Sequence, residues 1–190
     1  MKRGAWVAAF AWLLVSCRLP WTVRPIDDAQ RETGAQRPFD AAAYAASIWD
    51  SRVIPAASAA PDFAHARLSR RPVLVKDTAR VLRADASRGR LVLDIAPYDG
   101  RPDAELAADQ IRGTALRDAL PFIQFSQFVN QVDYAHAANA LNDRAARAAA
   151  AAMAEAKPGM VLYFAGALDG GGDGLPQIVP VVATREPARP

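Results

Sequence analysis

The chain of 190 residues is long enough for one ordinary domain, and its apolar content of 52% is enough for a hydrophobic core. The formal net charge of +3 falls to about +1 when Lys2 and Arg3 of the N-terminal leader are set aside, because 21 basic residues then face 20 acidic ones. No Lys/Arg run with interleaved aromatic residues occurs, so the charge pattern excludes nucleic acid as a predicted partner.

The N-terminal stretch MKRGAWVAAFAWLLVSC predicts a lipoprotein signal peptide (residues 1–17). A basic start precedes an apolar run from Ala5 to Val15, too short for a bilayer span of about 20 residues. The run ends in LVSC, which resembles the bacterial lipobox, and Cys17 is the only cysteine of the chain. We predict that Cys17 is acylated and anchors the protein on the periplasmic side of the envelope, with Arg18 slightly favouring the outer membrane. An uncleaved anchor with a buried Cys17 is the alternative.

Residues 18–38 carry three prolines and no periodicity, which predicts a flexible tether. The next segment, FDAAAYAASIWDSRVIPA, predicts a helix with Asp40 as its N-cap and Pro55 at its end. Its expected buried stripe follows helical spacing and consists of Phe39, Ala43, Ala46 and Trp49.

The remainder predicts a single α+β domain over residues 39–184, followed by a disordered tail (185–190). Two or three strands are expected between Pro72 and Ile95, around a turn at SRG, with PYDGRPD as the following loop. Further strands are expected at Met160–Gly166 and Pro176–Ala183, joined by the Gly-rich loop LDGGGDGL. A helical part at about 112–157 lies between these strand groups. This order predicts a small barrel or curled sheet with helices on one side.

The candidate functional segment is RGTALRDALPFIQFSQFVNQVDYAHAANALN, in which polar side chains are threaded among aromatic ones. A buried stripe is expected at Phe125, Phe128, Val132 and Ala135, which follow helical spacing. The candidate polar residues are Arg117, Asp118, Asn130, Gln131, Asp133, Asn139 and Asn142.

Two interpretations of these polar residues remain open. The favoured one is a structural clamp, in which amides satisfy backbone groups and Arg117 pairs with a carboxylate such as Asp118 or Asp133; Asn139 and Asn142 are expected to share one helix face. The other is a carbohydrate pocket whose aromatic faces come from Phe128, Tyr134 and Trp49.

The residues that catalysis or metal binding needs are scarce. His65 and His136 are the only histidines, neither has a partner at metal-ligand spacing, and both are expected on the surface. GxSxG and Walker motifs are absent, and the two aspartates of the Gly-rich loop are too few for Ca²⁺. We therefore predict no enzymatic activity, no catalytic residue, no metal and no cofactor. A hydrolase with a dispersed triad is the least favoured alternative.

Three stretches carry a resemblance to a known family: FDAAAYAASIWDSRVIP, RGTALRDALPFIQFSQFVNQVDYAHAANALN and QIVPVV. Together with the lipobox leader, they resemble the domain of unknown function 2291 family of predicted bacterial periplasmic lipoproteins, from about Phe39 to Val182. The most specific part is RGTALRD followed by the phrase F-x-x-F-x-N-Q.

This resemblance implies a small OB-like β-barrel with an attached helical subdomain. It supplies no catalytic or ligand-binding residues. Genes of the family often lie beside those of sugar ABC importers, which implies an accessory role in carbohydrate uptake. The predicted function is therefore a periplasmic, lipid-anchored accessory lipoprotein whose partners are ABC importer components or a small sugar. A purely structural envelope lipoprotein without a ligand is the alternative.

Overall fold

The computed structural model describes residues 38–67, 69–108, 113–170 and 174–185. The predicted signal peptide with Cys17, the predicted tether up to Arg37 and the predicted tail after Arg185 lie outside the described residues. Arg112 and Asp173, at the edges of two sequence motifs, also lie outside them.

Five strands close into a barrel in the order β1-β2-β3-β5-β4. The strands are β1 (Val73–Asp85), β2 (Arg90–Ile95), β3 (Ala104–Ala107), β4 (Val161–Asp169) and β5 (Gln177–Arg185). β3 and β5 pair in parallel, whereas all other neighbours pair antiparallel. A long helix separates β3 from β4 in the chain. This arrangement confirms the predicted α+β fold with an OB-like barrel.

The interior of the barrel follows the two-residue period of its strands, because alternate side chains of a strand point to the same face. The core side chains from the strands are mostly large and aliphatic, with Phe164 fully buried among them. The long helix α5 (Gln131–Glu155) packs against β5 and contributes Ala149 and Met153 to the same core.

A second core covers the outer face of β4 and β5. Small residues such as Ala165 and Ala167 face the helices there, and Trp49, Leu116 and Leu141 pack against them. The β4–β5 register shifts beside Gly166. A Cβ atom on Gly166 would lie 2.2 Å from the carbonyl oxygen of Val179, so only glycine fits this close approach of two strands.

The first helical region differs from its prediction. Asp40 is the N-cap of α1 (Ala41–Ile48), and its Oδ1 accepts from the Ala43 N–H at 2.9 Å. The chain then continues through a π-helical segment (Trp49–Val53) into α2 (Ile54–Ser58). The predicted end at Pro55 is therefore wrong: Pro55 lies in the first turn of α2, where a missing N–H is tolerated.

The predicted buried stripe of this region is also wrong in most positions. Ala43 and Ala46 are exposed and Phe39 is half-buried, whereas Ala45 and Ile48 are buried. Alanine occupies every face of α1, so its spacing does not determine which face packs against the barrel.

The central region contains less helix and one more strand than predicted. Helix α3 (Phe63–Ala66) precedes β1, and α4 is only Ala115–Asp118. A 3₁₀ turn at Phe125–Gln127 separates α4 from α5, so the expected helical part at about 112–157 is interrupted. The short strand β3 has the sequence AELA, which lacks β-branched residues, and the sequence pattern did not indicate it.

The predicted loop PYDGRPD joins β2 to β3 and is held by a buried carboxylate. Asp94 is fully buried and accepts from the N–H groups of Asp99 at 3.1 Å and Gly100 at 3.0 Å. The Arg80 guanidinium lies 4.0 Å from the same carboxylate. A buried carboxylate with these donors fixes the loop against the barrel.

Candidate functional site

Arg117 joins α4 to the first turn of α5. Its side chain is nearly buried, and Nε and Nη2 donate to Oδ1 of Asp118 at 2.9 and 2.7 Å. Nη1 donates to the carbonyl oxygen of Tyr134 at 3.2 Å, and the guanidinium lies 3.7 Å from the centroid of the Tyr134 ring. The donors of Arg117 are therefore directed into the protein itself.

Asn130 is the N-cap of α5. Its Oδ1 accepts from the Asp133 N–H at 2.9 Å, and its Nδ2 donates to Oδ2 of Asp133 at 3.1 Å. Asn130 and Asp133 thus satisfy the start of the helix and each other.

The other three candidate amides differ in burial. Asn142 is only 3% exposed, and its Nδ2 donates to the carbonyl oxygen of Gly113 at 3.0 Å. Gln131 and Asn139 are exposed. Asn139 and Asn142 lie three residues apart on α5, but only Asn142 is turned into the fold.

Five rings linked by mutual contacts, together with two exposed valines beside them in the chain, are here called the aromatic surface. Its members are Phe39, Tyr44, Phe125, Phe128, Val129, Val132 and Tyr134. Phe128 is central, with its ring centroid 5.5 Å from that of Phe39, 5.3 Å from Tyr44 and 5.1 Å from Tyr134. These tilted and edge-to-face contacts are the geometries that aromatic pairs prefer.

The predicted buried stripe through this patch is wrong. Phe125 is 53% exposed, Val132 is 60% exposed and Ala135 is exposed, while Phe128 is half-buried. Helical spacing has meaning only inside a helix, and α5 begins at Gln131, so the residues before it are not in register with those after it.

The seven members of the aromatic surface are uncharged, while Asp40 and Asp133 follow two of them in the chain and arginines lie at the edges of the surface. No charged residue occurs from Ala119 to Val132. Burial raises the pKa of the Tyr44 hydroxyl above its usual value of 10.0, the positive Arg52 lowers it in part, and Tyr134 raises it further. Tyr44 is therefore neutral at physiological pH. The Arg52 guanidinium lies 4.0 Å from the centroid of Phe122.

A second feature, which the sequence analysis missed, is an open groove of about 510 Å³ on the barrel. The groove is lined by Arg83, Ala84, Asp85, Ser87, Arg88, Arg90, Val92 and Glu105. The β1–β2 hairpin brings three of its arginines together, because Asp85 pairs with Arg90 across the hairpin. The sequence feature that could have indicated this groove is the presence of arginines on both sides of the predicted SRG turn.

The carboxylates of the groove hold two of its three arginines. Arg90 Nη1 lies 3.3 and 3.2 Å from the two oxygens of Glu105, and Arg88 Nε lies 3.7 Å from Asp85. The Ser87 hydroxyl donates to Asp85 at 2.6 Å, and chiefly this bond lowers the pKa of the Asp85 carboxyl. Arg83 is exposed and forms no ion pair within the described part of the chain. The groove thus carries three cations and two carboxylates.

A family model described as "Predicted periplasmic lipoprotein (DUF2291)" matches residues 7–69 and 56–184. The chain belongs to this family. This match confirms the family resemblance of the sequence motifs, and with it the class of predicted periplasmic lipoproteins. A search of curated proteins gave no significant match.

Among solved structures, the chain is similar to an OB-fold protein from Thermotoga maritima, with a TM-score of 0.64 and 13% sequence identity. The similarity covers 78% of this chain and 99% of that protein. At this identity the match shows the fold and nothing about activity.

Within the described residues, no group of three or more His, Cys, Asp or Glu side chains is arranged to hold a metal ion. None of the helices in the described ranges is long and apolar enough to cross a membrane.

Proposed function

We propose that the protein is a non-enzymatic accessory lipoprotein, anchored through acylated Cys17, that binds a protein partner of the cell envelope through the groove. The observation that carries this proposal is the arrangement of the arginines. Two are fixed by carboxylates, and Arg83 extends from the same open surface without an ion pair in the described chain. The family resemblance implies that the partner is a component of a carbohydrate ABC import system.

A protein partner fits the groove better than a small sugar does. Arg83, Asp85, Ser87 and Arg88 are all exposed, so a monosaccharide placed among them would keep much of its surface in water. Small-ligand sites usually bury about 70–90% of their ligand. Among the described residues that line the groove, none has an aromatic ring to stack on a sugar. A protein surface would cover the groove, and acidic side chains would complement its excess of positive charge.

Five of the seven polar residues predicted from the sequence are proposed to serve the fold. Support comes from their contacts, since Arg117, Asn130 and Asn142 bond to groups of the same chain. Asp118 and Asp133 are the partners of two of them, whereas Gln131 and Asn139 stay exposed.

The proposal can be tested by site-specific photo-crosslinking in intact cells. A photoreactive amino acid at Ser87, an exposed residue of the groove lining, should crosslink a component of a carbohydrate importer, and the same group at exposed Arg147 on α5 is the control. Adding Arg83→Glu should abolish the product at position 87, because it reverses the charge of the arginine that extends from the groove. The Cys17→Ser variant should leave the membrane fraction, and its continued membrane association would contradict the proposed anchor.

Other outcomes would decide against this function. The absence of a product specific to position 87, or a product with a structural envelope protein alone, would favour the structural alternative. A thermal-shift response of the protein to a monosaccharide that Arg83→Ala removes would favour direct sugar binding.

A further inference from the structure

We propose that the aromatic surface docks on the phospholipid leaflet that holds the lipid anchor. Phe125, Val129 and Val132 are 53%, 74% and 60% exposed, and they are three of the four exposed large hydrophobic side chains in the described residues. Exposed apolar side chains that cluster in this way mark surfaces that contact a partner or a membrane.

The point of chain entry favours the membrane. Phe39 follows the undescribed N-terminal residues almost directly, and its ring packs on Phe128 and Tyr44, with centroids 5.5 and 5.7 Å away. The chain from Cys17 therefore enters the domain within the aromatic surface. The roughly 20 residues between them span at most about 70 Å. An anchor at Cys17 keeps this surface close to the leaflet and raises the effective concentration of lipid around it.

The chemistry of the surface suits the boundary between headgroups and acyl chains. Charged groups are costly there, and the chain has none from Ala119 to Val132. The two acidic neighbours of the surface are each bonded within the chain, Asp40 to the Ala43 N–H and Asp133 to the Asn130 side chain. Tyrosine rings combine an apolar body with a polar tip, and Tyr44 and Tyr134 both belong to the surface. At its edge, the exposed Arg52 offers a guanidinium, which is a strong donor to lipid phosphate.

The surface is held in shape without lipid. The 3₁₀ turn at Phe125–Gln127 is closed by a capping box, in which the Gln124 N–H donates to Gln127 Oε1 at 3.0 Å. Asn130 then fixes the start of α5. Docking therefore orders few additional side chains, which lowers its entropic cost.

A single reporter thiol tests this proposal in the intact lipoprotein. Val129→Cys carries an environment-sensitive fluorophore, and the protein is placed in phosphatidylethanolamine–phosphatidylglycerol vesicles that contain nitroxide-labelled lipid. We expect the label at position 129 to be quenched several-fold more strongly than a label at Arg88→Cys in the groove. The protein without an added cysteine should take no label if Cys17 is acylated. Equal quenching at the two positions would overturn the proposal.

A second variant separates docking from mere proximity. Val132→Asp, added to Val129→Cys, places a charge in the surface and should reduce the quenching. Asn139→Asp, at an exposed position of α5 outside the surface, should leave the quenching unchanged. Unchanged quenching in the Val132→Asp variant would also overturn leaflet docking. A label that is shielded in native envelopes but unquenched in lipid vesicles would overturn it as well and would show a protein on this surface.

Discussion

The aromatic surface and the groove use their polar groups in opposite ways. Beside the aromatic surface, Arg117, Asn130 and Asn142 bond to their own chain, and apolar side chains are left exposed. In the groove, the arginines and carboxylates lie at the surface, and Arg83 extends from it. The difference shows that a cluster of polar residues in the sequence does not by itself indicate binding. What matters is which polar groups form no ion pair or hydrogen bond within the folded chain.

The largest expected effect comes from Arg117. Arg117→Ala removes the donors to Asp118 and to the Tyr134 carbonyl together with the contact to the Tyr134 ring. Arg117 is nearly buried although Asp118 is exposed, so the loss of its charged hydrogen bonds and of the ring contact should lower the free energy of unfolding by about 3 kcal/mol. Urea denaturation measures the loss. Arg83→Ala in the groove is the control and should stay within about 0.5 kcal/mol of the unmodified protein.

If the groove variant lost as much stability as Arg117→Ala, the contrast between the two regions would be wrong. Arg117→Lys should fall between them, because lysine keeps the charge but lacks the planar fork that bonds Asp118 twice.

The next effect compares two asparagines of α5 that lie three positions apart. Asn142→Ala leaves the carbonyl oxygen of Gly113 without its donor and should lower the free energy of unfolding by about 2 kcal/mol. Asn139→Ala, at an exposed position, should change it by less than about 0.5 kcal/mol. Equal losses in thermal or urea denaturation would show that burial does not distinguish these amides.

A smaller effect is expected at the start of α5. Asn130→Ala removes the side-chain acceptor of the Asp133 N–H and should lower the free energy of unfolding by about 1 kcal/mol. Asn130→Asp should retain most of the stability, since aspartate also caps helices, and Gln131→Ala is the neighbouring exposed control. A loss at Gln131 that matched the loss at Asn130 would contradict the capping role.

The smallest effect concerns the titration of Asp85 in the groove. The Ser87 hydroxyl lowers the pKa of this carboxyl below its usual value of 3.8, so the interaction stabilises the fold above that pH and is lost as pH falls through the lowered pKa. Ser87→Ala should raise the pKa of Asp85 towards 3.8, as measured by NMR titration. Because the carboxylate is exposed, stability at neutral pH should hardly change. An unchanged pKa would show that the Ser87 hydroxyl does not stabilise the Asp85 carboxylate.

Much of the architecture could be predicted from the chain. Strands β1, β2, β4 and β5 have β-branched or leucine-rich patterns between turn residues, and the family resemblance supplied the barrel. Strand β3 was not predicted, because its four residues are alanine, glutamate and leucine, which have no strong preference for strands. Its position is set by pairing with β2 and β5, and such long-range contacts are not visible in a local pattern.

Neither the exposure of the aromatic surface nor the groove could be predicted from the sequence. The spacing of Phe125 and Val132 resembled a buried helical stripe, but α5 begins only at Gln131, so the spacing had no helical meaning before that point. The groove depends on Glu105 of β3, which pairs with Val92 on the adjacent strand β2 and bonds the guanidinium of Arg90 two residues away on β2. Only the paired sheet brings these residues together.

The short seam between β3 and β5 bears on how the groove can accommodate another surface. Only Glu105 and Leu106 of β3 pair with β5, although the ladders on the other side of the barrel are long. Glu105 also forms one wall of the groove. Free energies of local opening are lowest where the fewest bonds must break, so we expect β3 to separate from β5 before the longer ladders open. Because Ala104 and Leu106 of the same strand are fully buried in the barrel core, such an opening would couple the groove to that core.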